Sequence, residues 1–148
     1  MEGRWLSAWV EHLRPLAAAS PPRDRLLHGD VQSTNVMVDP AALSYRALID
    51  WGCAGWGDPA IDFLGMPLRC VPPAVAGHRE VAPIDGDDTA EARIVWHHLA
   101  LVLWFLPRGA VPGASWGEQP VAMLLDLLRF FAEAKDPRWR ALGPPQPA

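Results

Sequence analysis

Lysine is almost missing from this chain of 148 residues, since Lys135 stands alone against twelve arginines. The net charge is −4 and the isoelectric point is about 5.6. A protein that binds nucleic acid through phosphate contacts needs a basic surface, and no basic stripe occurs along the chain. We therefore expect no nucleic-acid partner. The abundance of alanine, proline and arginine indicates a GC-rich coding sequence and hence a bacterial source.

Cysteine and long apolar runs are also scarce. Cys53 and Cys70 are far apart and not in a metal-type spacing, which favours a reduced cytoplasmic setting over a disulfide framework. The first twelve residues carry charges inside any stretch that could act as a signal peptide. The most apolar run, Leu99 to Leu106, is far shorter than the ~20 residues needed to span a bilayer. These absences predict a cytoplasmic protein with no membrane partner.

Three segments have the apolar spacing of helices. The first is predicted over residues 3–19, with the prolines that follow ending it. The second begins at Asp88 and Glu91, a pair that resembles a capping box, and runs to about Leu106. The third covers residues 120–134. Helices should therefore make up most of the fold.

Two short strands lie between the first two of these helices. Residues 36–38 and 45–49 flank a turn of about five residues, which allows only antiparallel pairing. Asp58 follows as the N-cap of a short helix over residues 60–64. Residues 67–86 are rich in proline and predicted to be irregular. The predicted fold class is thus α+β, mostly helical, with a small β-hairpin.

The hairpin has a consequence for polar residues at its open end. Asn35 enters the first strand and Asp50 leaves the second. Both are equidistant from a hairpin centre between Ala42 and Leu43, so pairing should bring them together. Asp30, in the loop just before the first strand, should share that end of the hairpin.

Such a cluster has the chemistry of a magnesium site with a proton acceptor beside it. Mg²⁺ takes few protein oxygens and keeps the rest of its shell for water and phosphate, which suits Asn35 and Asp50. Two carboxylates held close together need a counter-charge. Asp30 would remain free to accept a proton from a substrate hydroxyl. The plainer alternative is that Asp30 and Asn35 only satisfy the backbone of a turn, and a metal-dependent phosphate-ester hydrolase is a further one.

Two linked motifs in this region resemble a known family. His28-Gly29-Asp30, four residues and then Asn35 is similar to the catalytic loop of protein kinases. Glycine in second place, and Gln32 where protein kinases usually carry lysine, favour a branch that acts on small molecules. The later segment LIDWGCAGWGDPAIDF resembles the aminoglycoside phosphotransferase family, including a GDPxxD signature formed by residues 57–62.

The resemblance implies a protein-kinase-like C-terminal lobe and a function. The enzyme would use Mg²⁺ and transfer the γ-phosphate of ATP or GTP to a hydroxyl of a small molecule. The implied roles are proton acceptor for Asp30, magnesium ligands for Asn35 and Asp50, and support of the site for His28, Asp58 and Asp62.

The resemblance covers only part of such an enzyme. A glycine-rich GxGxxG loop and a strand lysine for the phosphates are not found in these residues. We therefore expect a truncated C-lobe whose N-terminal lobe is missing or separate, or alternatively an inactive stand-alone lobe that acts as a binding module or remnant. The expected division is a helix and proline-rich loop over 1–25, the lobe over 26–140 and a mobile tail over 141–148. Within the lobe, the catalytic loop covers 28–35, the metal motif 50–52 and the helical subdomain 59–135.

The sequence gives weaker indications of the acceptor substrate. Asp85, Asp87 and Asp88 could attract a cationic acceptor such as an aminoglycoside. A solvated loop followed by a helix cap is the plainer interpretation. His97 and His98 are adjacent on a helix and point in different directions, so no shared metal is expected there.

Overall fold

The computed structural model describes residues 4–19, 24–82, 88–114 and 119–145. Within these ranges the fold is α+β, and helices outweigh short strands, as predicted. The elements in chain order are α1 (Arg4–Ala18), β1 (Arg25–Leu27), β2 (Val36–Asp39), β3 (Ser44–Leu48), β4 (Gly55–Gly57), α2 (Val71–Val81), α3 (Ala90–Phe105), α4 (Pro120–Glu133) and α5 (Pro137–Arg140). Short 3-10 turns occur at Trp51–Cys53, Pro59–Phe63, Leu68–Cys70 and Leu106–Arg108.

The chain forms two compact units. The helical unit consists of Met1–Ser20 and Asp85–Ala148, and therefore contains α1, α3, α4 and α5. The hairpin unit is Pro21–Ile84 and contains the four strands and α2. No helix in the described ranges has both the length and the apolar character needed to cross a membrane.

The helical unit has an apolar core in which α1 takes part. Trp9 and Leu13 are fully buried, whereas Leu16 is 38% exposed, so the buried stripe of α1 does not extend to Leu16. The Trp9 ring meets Phe131 edge-on at 5.4 Å between centroids, and its Nε1 donates to the Leu142 carbonyl at 2.8 Å. From α3, four side chains complete this core: Ile94, Val95, Leu99 and Val102.

The start of α3 differs from the prediction. The helix begins at Ala90 with Thr89 as N-cap, and no side chain caps it, so the predicted capping box of Asp88 and Glu91 is wrong. Glu91 is instead buried, and its carboxylate lies 3.7 Å from the Arg138 guanidinium. Burial of a carboxylate is costly unless a partner charge lies nearby, and Arg138 provides that charge for Glu91. The third predicted helix is confirmed, as α4.

The segment predicted to be irregular over residues 67–86 is helical in large part. The helix α2 occupies Val71–Val81, so this prediction is wrong there; residues 83–86 lie outside the described ranges. Pro72 and Pro73 stand in the first turn, where backbone N–H groups have no intrahelical acceptor and proline removes nothing.

The hairpin unit contains two separate two-stranded sheets. The predicted antiparallel hairpin of β2 and β3 is confirmed. The second sheet pairs β1 with β4, also antiparallel, with Leu27 opposite Gly55 and Arg25 opposite Gly57. This second pairing brings the residues just before His28 beside the segment that follows Asp50.

Candidate functional site

The register of the hairpin differs by one residue from the predicted one. Asn35 lies opposite Ile49, whose backbone N–H donates to the Asn35 carbonyl at 2.9 Å. The predicted partner, Asp50, is the next residue along the chain. The difference is larger near the turn, where Asp39 pairs with Ser44 and Val38 with Tyr45, two positions from the predicted register. A β-bulge that adds Arg46 to β3 as an extra residue then recovers one of these two positions towards the open end. Asn35 and Asp50 therefore still meet at the same end of the hairpin, offset by one position.

The loop of residues 28–35, here called the site loop, is closed by its own hydrogen bonds. The Gln32 N–H donates to the Asp30 carbonyl at 3.0 Å, and the Asn35 N–H donates to the Gln32 carbonyl at 2.9 Å. The Asn35 side-chain nitrogen Nδ2 also donates to the Asp30 carbonyl at 2.9 Å. The Asn35 side chain thus reaches back five positions to Asp30 and closes the loop between them.

The orientation of the Asn35 amide follows from its partners. Nδ2 donates both to the Asp30 carbonyl and to Asp30 Oδ2, the latter at 3.0 Å. Both partners are acceptors, so the nitrogen must face them and the amide oxygen must face the other way. Asn35 is buried, which holds the amide in this orientation.

Gln32 makes a contact with Asp30 that sequence reasoning missed. Its Nε2 lies 3.0 Å from each of the two Asp30 carboxylate oxygens. The two residues are only two positions apart in a tight loop, and this proximity was the available signal.

Asp62 anchors the start of the site loop through both of its carboxylate oxygens. Oδ2 accepts the His28 backbone N–H at 2.9 Å, and Oδ1 accepts the Gly29 N–H at 2.8 Å. Hydrogen bonds to an ionised acceptor are stronger than neutral ones. The second acid of the GDPxxD motif therefore contacts the backbone next to Asp30 directly.

His28 links the site loop to the end of β3. Its Nε2 lies 2.9 Å from the Ile49 carbonyl, and its Nδ1 lies 3.3 Å from the Asp30 backbone nitrogen. A carbonyl can only accept, so the ring proton belongs on Nε2 and Nδ1 accepts from the Asp30 N–H. The buried imidazole thus connects the backbone of Asp30 to the residue that precedes Asp50.

Two glycines allow the site loop to pass close to neighbouring backbone. Gly29 has a φ of +79°, and a Cβ there would lie 2.3 Å from the Cys53 carbonyl oxygen. At Gly65, a Cβ would lie 2.2 Å from the Val31 carbonyl oxygen. Any larger residue at either position would push the loop away from its neighbour.

Asp50 presents its carboxylate at the open end of the hairpin. The residue is exposed and adopts a left-handed conformation, with φ 62° and ψ 65°. A Cβ at Gly52 would lie 3.3 Å from Asp50 Oδ1, so the glycine leaves room for the carboxylate. The Trp51 ring lies edge-on to His28, with 4.7 Å between the ring centroids.

The remaining predicted residues lie outside this network or at its edge. Asp58 is the N-cap of the 3-10 turn Pro59–Phe63 and accepts the Ala60 N–H at 2.9 Å, which confirms the predicted cap. Asp88 is exposed in the helical unit. Asp85 and Asp87 lie outside the described residues.

Comparison with known proteins adds a family to this geometry. The sequence profile of the APH family, described as the phosphotransferase enzyme family, matches residues 2–95, which is more than half of the chain. The chain belongs to the aminoglycoside phosphotransferase family. The predicted resemblance is thereby confirmed.

Two curated relatives of this family member come from Escherichia coli O157:H7 and Escherichia coli strain K12, and both are named "Probable ketoamine kinase YniA". Each is 33% identical over 84 residues, which are 55% of this chain and 28% of the relative. The aligned segment therefore spans little more than a quarter of the relatives' length. No solved structure matches the chain.

The donor atoms at the open end of the hairpin fit a magnesium ion of the kind that phosphotransferases use. In the described ranges, no three or more His, Cys, Asp or Glu side chains are grouped as a metal site. Mg²⁺ needs no such group, because one or two protein oxygens plus water and phosphate suffice. The amide oxygen of Asn35, which faces away from Asp30, and the exposed carboxylate of Asp50 would supply such oxygen donors.

Proposed function

We propose that this member of the family carries the acceptor and magnesium side of a kinase-type active site, in a protein-kinase-like C-lobe. The reaction is transfer of the γ-phosphate of ATP or GTP to a hydroxyl of a small molecule. The observation that supports this most is the two-sided arrangement of Asn35: its amide nitrogen holds Asp30, and its oxygen faces the other way, where it would be available to a cation. One side chain thus couples a proton acceptor to a metal ligand.

In this reaction Asp30 acts on the attacking hydroxyl. The hydroxyl oxygen forms a bond to the γ-phosphorus as the bond from that phosphorus to the β,γ-bridging oxygen breaks. The hydroxyl proton passes to the Asp30 carboxylate, and the nucleoside diphosphate leaves. His28 and Asp62 hold the backbone on which Asp30 is placed.

Asn35 and Asp50 would hold Mg²⁺ at the open end of the hairpin. The bound ion would supply positive charge to the phosphate oxygens of the nucleotide. The role of these two side chains is to present oxygen donors from a loop and a strand end that hydrogen bonds join, so that the donors keep their separation during turnover.

We also propose an origin for the groups that would bind the nucleotide phosphates from the opposite side. The chain contains no GxGxxG segment, and Lys135 follows the site by some hundred residues instead of preceding it. The phosphate-binding loop and lysine would then belong to an N-terminal lobe outside these residues, either in a longer protein of which this chain is part or in a separate chain, that acts with this chain in the bacterial cytoplasm.

For the acceptor, a ketoamine is the first compound to assay, because that is what the names of the two relatives state. A cationic acceptor would be attracted by Asp88 and its neighbours Asp85 and Asp87. An aminoglycoside and an uncharged sugar complete the panel, since they separate a charge requirement from a ketoamine requirement.

The test is magnesium-dependent phosphotransfer by the purified chain and by the whole product of its gene, with Asp30→Asn and Asp50→Asn variants. Asp30→Asn should lower kcat by roughly 100-fold to 10,000-fold, the usual contribution of a proton acceptor. Asp50→Asn should raise the magnesium concentration needed for turnover. Asp39→Asn is the matched control, because this half-buried acid lies at the turn end of the same hairpin and pairs with Arg46.

Three outcomes separate the proposal from its rivals. Unchanged phosphotransfer in both site variants would overturn the assigned roles. Micromolar binding of Mg-ATP by calorimetry without any transfer would favour the inactive binding module, which the missing glycine-rich loop and lysine motivate. Phosphate-ester hydrolysis without an acceptor would favour the metal-dependent hydrolase.

A further inference from the structure

We propose that Gln32 is a positioning residue that fixes the Asp30 carboxylate and reserves one of its oxygens for the acceptor hydroxyl. The inference rests on the proposed role of Asp30 as proton acceptor. It adds a residue whose side chain has no assigned role in the motif His28-Gly29-Asp30 and Asn35.

The hydrogen bonds to Asp30 are unequally divided between its two oxygens. Oδ2 accepts from Asn35 Nδ2 and from Gln32 Nε2, each at 3.0 Å. Oδ1 accepts from Gln32 Nε2 at 3.0 Å. A carboxylate oxygen has about two lone-pair sites, so Oδ2 is fully used and Oδ1 keeps one. The hydroxyl that loses its proton should therefore meet Oδ1.

The position of Gln32 also fixes the rotation of the carboxylate. Asn35 alone would bind one oxygen and leave the carboxylate free to turn about the bond that joins it to Cβ. A nitrogen at equal distance from both oxygens lies on the bisector of the carboxylate and opposes that rotation. The amide end of Gln32 facing Asp30 must be its nitrogen, because its oxygen would be repelled by both carboxylate oxygens.

The Gln32 amide is a neutral donor, and its neutrality determines how it supports the Asp30 carboxylate. The site loop of residues 28–35 contains no lysine or arginine. Gln32 and Asn35 orient the carboxylate without cancelling its charge. A proton acceptor held by amides keeps its full negative charge for the incoming hydroxyl.

The first part of the test is spectroscopic and needs no turnover. In the ¹⁵N-labelled 148-residue chain, the side-chain NH₂ signals of Gln32 should be shifted from those of free glutamine in the same buffer. They should also exchange more slowly with water. Asp30→Ala should return them to the free values, whereas Ser33→Ala, a change at the exposed neighbour, should not. Gln32 signals that are the same with and without Asp30 would overturn the proposal.

The second part is kinetic. Gln32→Met keeps the length of the side chain and removes the donor, and should lower kcat by roughly 10-fold to 100-fold while KM for acceptor and nucleotide stays within about twofold. Gln32→Lys restores a donor but places a positive charge beside the carboxylate, so it should recover part of that loss, and Asp39→Asn at the turn end of the hairpin should behave as wild type. Equal loss in the Met and Lys variants, or a change in KM alone, would overturn the positioning role. If the wild type transfers no phosphate, the proposed function fails, and the NH₂ signals decide by themselves whether Gln32 fixes Asp30.

Discussion

Different interactions dominate in the core of the helical unit and in the site loop of the hairpin unit, although the hairpin unit also buries apolar side chains, among them Leu68, Val71 and Val75. In the helical unit the fully buried side chains are large and apolar, among them Trp9, Leu13 and Ile94. In the hairpin unit several large apolar side chains of the strands are exposed, with Tyr45 at 66% and Trp56 at 75%. The site loop is instead anchored by side chains that bond to backbone, such as Asp62 and His28.

This difference implies that the stability of the helical unit and the geometry of the site loop depend on different interactions. Burial of one large apolar side chain contributes about 1.5–3 kcal/mol but is non-directional. A hydrogen bond to a charged group contributes a similar 1.5–3 kcal/mol, and it also fixes a direction. The helical unit can therefore be weakened without distorting the site loop, and the site loop can be displaced without opening the apolar core.

The largest effect should come from the core of the helical unit. Leu13→Ala removes a fully buried side chain from α1 and should lower the free energy of unfolding by about 2–5 kcal/mol. Leu16→Ala, one turn along the same helix and 38% exposed, should cost less than about 1 kcal/mol. Urea denaturation followed by tryptophan fluorescence measures both. Equal losses for Leu13→Ala and Leu16→Ala would show that burial of apolar side chains does not account for the stability of the helical unit.

A smaller loss should follow from the anchor of the site loop. Asp62→Ala removes the acceptor of the His28 and Gly29 N–H groups and should cost about 1.5–3 kcal/mol. Hydrogen exchange of these two amides should accelerate, while exchange in α3 should stay as in wild type. Asp88→Ala, at an exposed acid of the helical unit, provides the control. Uniform acceleration over both units would contradict the contrast.

Two glycines of the hairpin unit should also respond differently to an added methyl group. Gly29→Ala places a Cβ against the Cys53 carbonyl at a positive φ, and should cost about 1–3 kcal/mol. Gly77→Ala in α2, where a Cβ would meet nothing within 4 Å among the described residues, should instead stabilise by about 0.5–1 kcal/mol. Thermal denaturation gives the sign of each change, and the same sign for both would refute the strain at Gly29.

The smallest effect concerns pH. The Arg46 guanidinium beside Asp39, together with the backbone N–H groups of Ala42 and Ala41, holds the pKa of the Asp39 carboxyl below its ordinary value of 3.8. The stabilisation of the hairpin is therefore present above pH 3.8 and is lost as pH falls through the lower, folded-state value. Denaturation of wild type and Asp39→Asn should differ above pH 3.8 and converge below it. Salt should shrink the difference, because the pair is exposed.

Sequence reasoning predicted the elements whose signal is local. Uninterrupted apolar spacing located α1, α3 and α4, and the short turn located the hairpin of β2 and β3. The sequence does not predict α2, because a proline-rich segment is typical of irregular structure, although proline is tolerated in a first turn such as that at Pro72 and Pro73. The β1 and β4 pairing was missed because strands of three residues carry almost no periodic signal.

The same limit applies to the site. The proximity of Asp30 and Asn35 was predictable because five residues of one loop join them. The register at Ile49 was not, because it depends on the exact pairing at the turn and on a β-bulge, and the spacing of two short strands determines neither. The bond from Asp62 to the His28 backbone spans 34 positions, and spacing alone does not reveal such a contact.

The left-handed backbone of Asp50 bears on how such a site can be lost in evolution. Aspartate, asparagine and glycine are the residues that adopt this conformation with least strain. Every aspartate codon is one base change from a glycine codon. A single point mutation can therefore remove the carboxylate and leave the hairpin intact. Under the proposed role of Asp50, a folded lobe without its metal ligand would lie one mutational step from a complete one, and the identity of residue 50 would distinguish enzymes from binding modules among related chains.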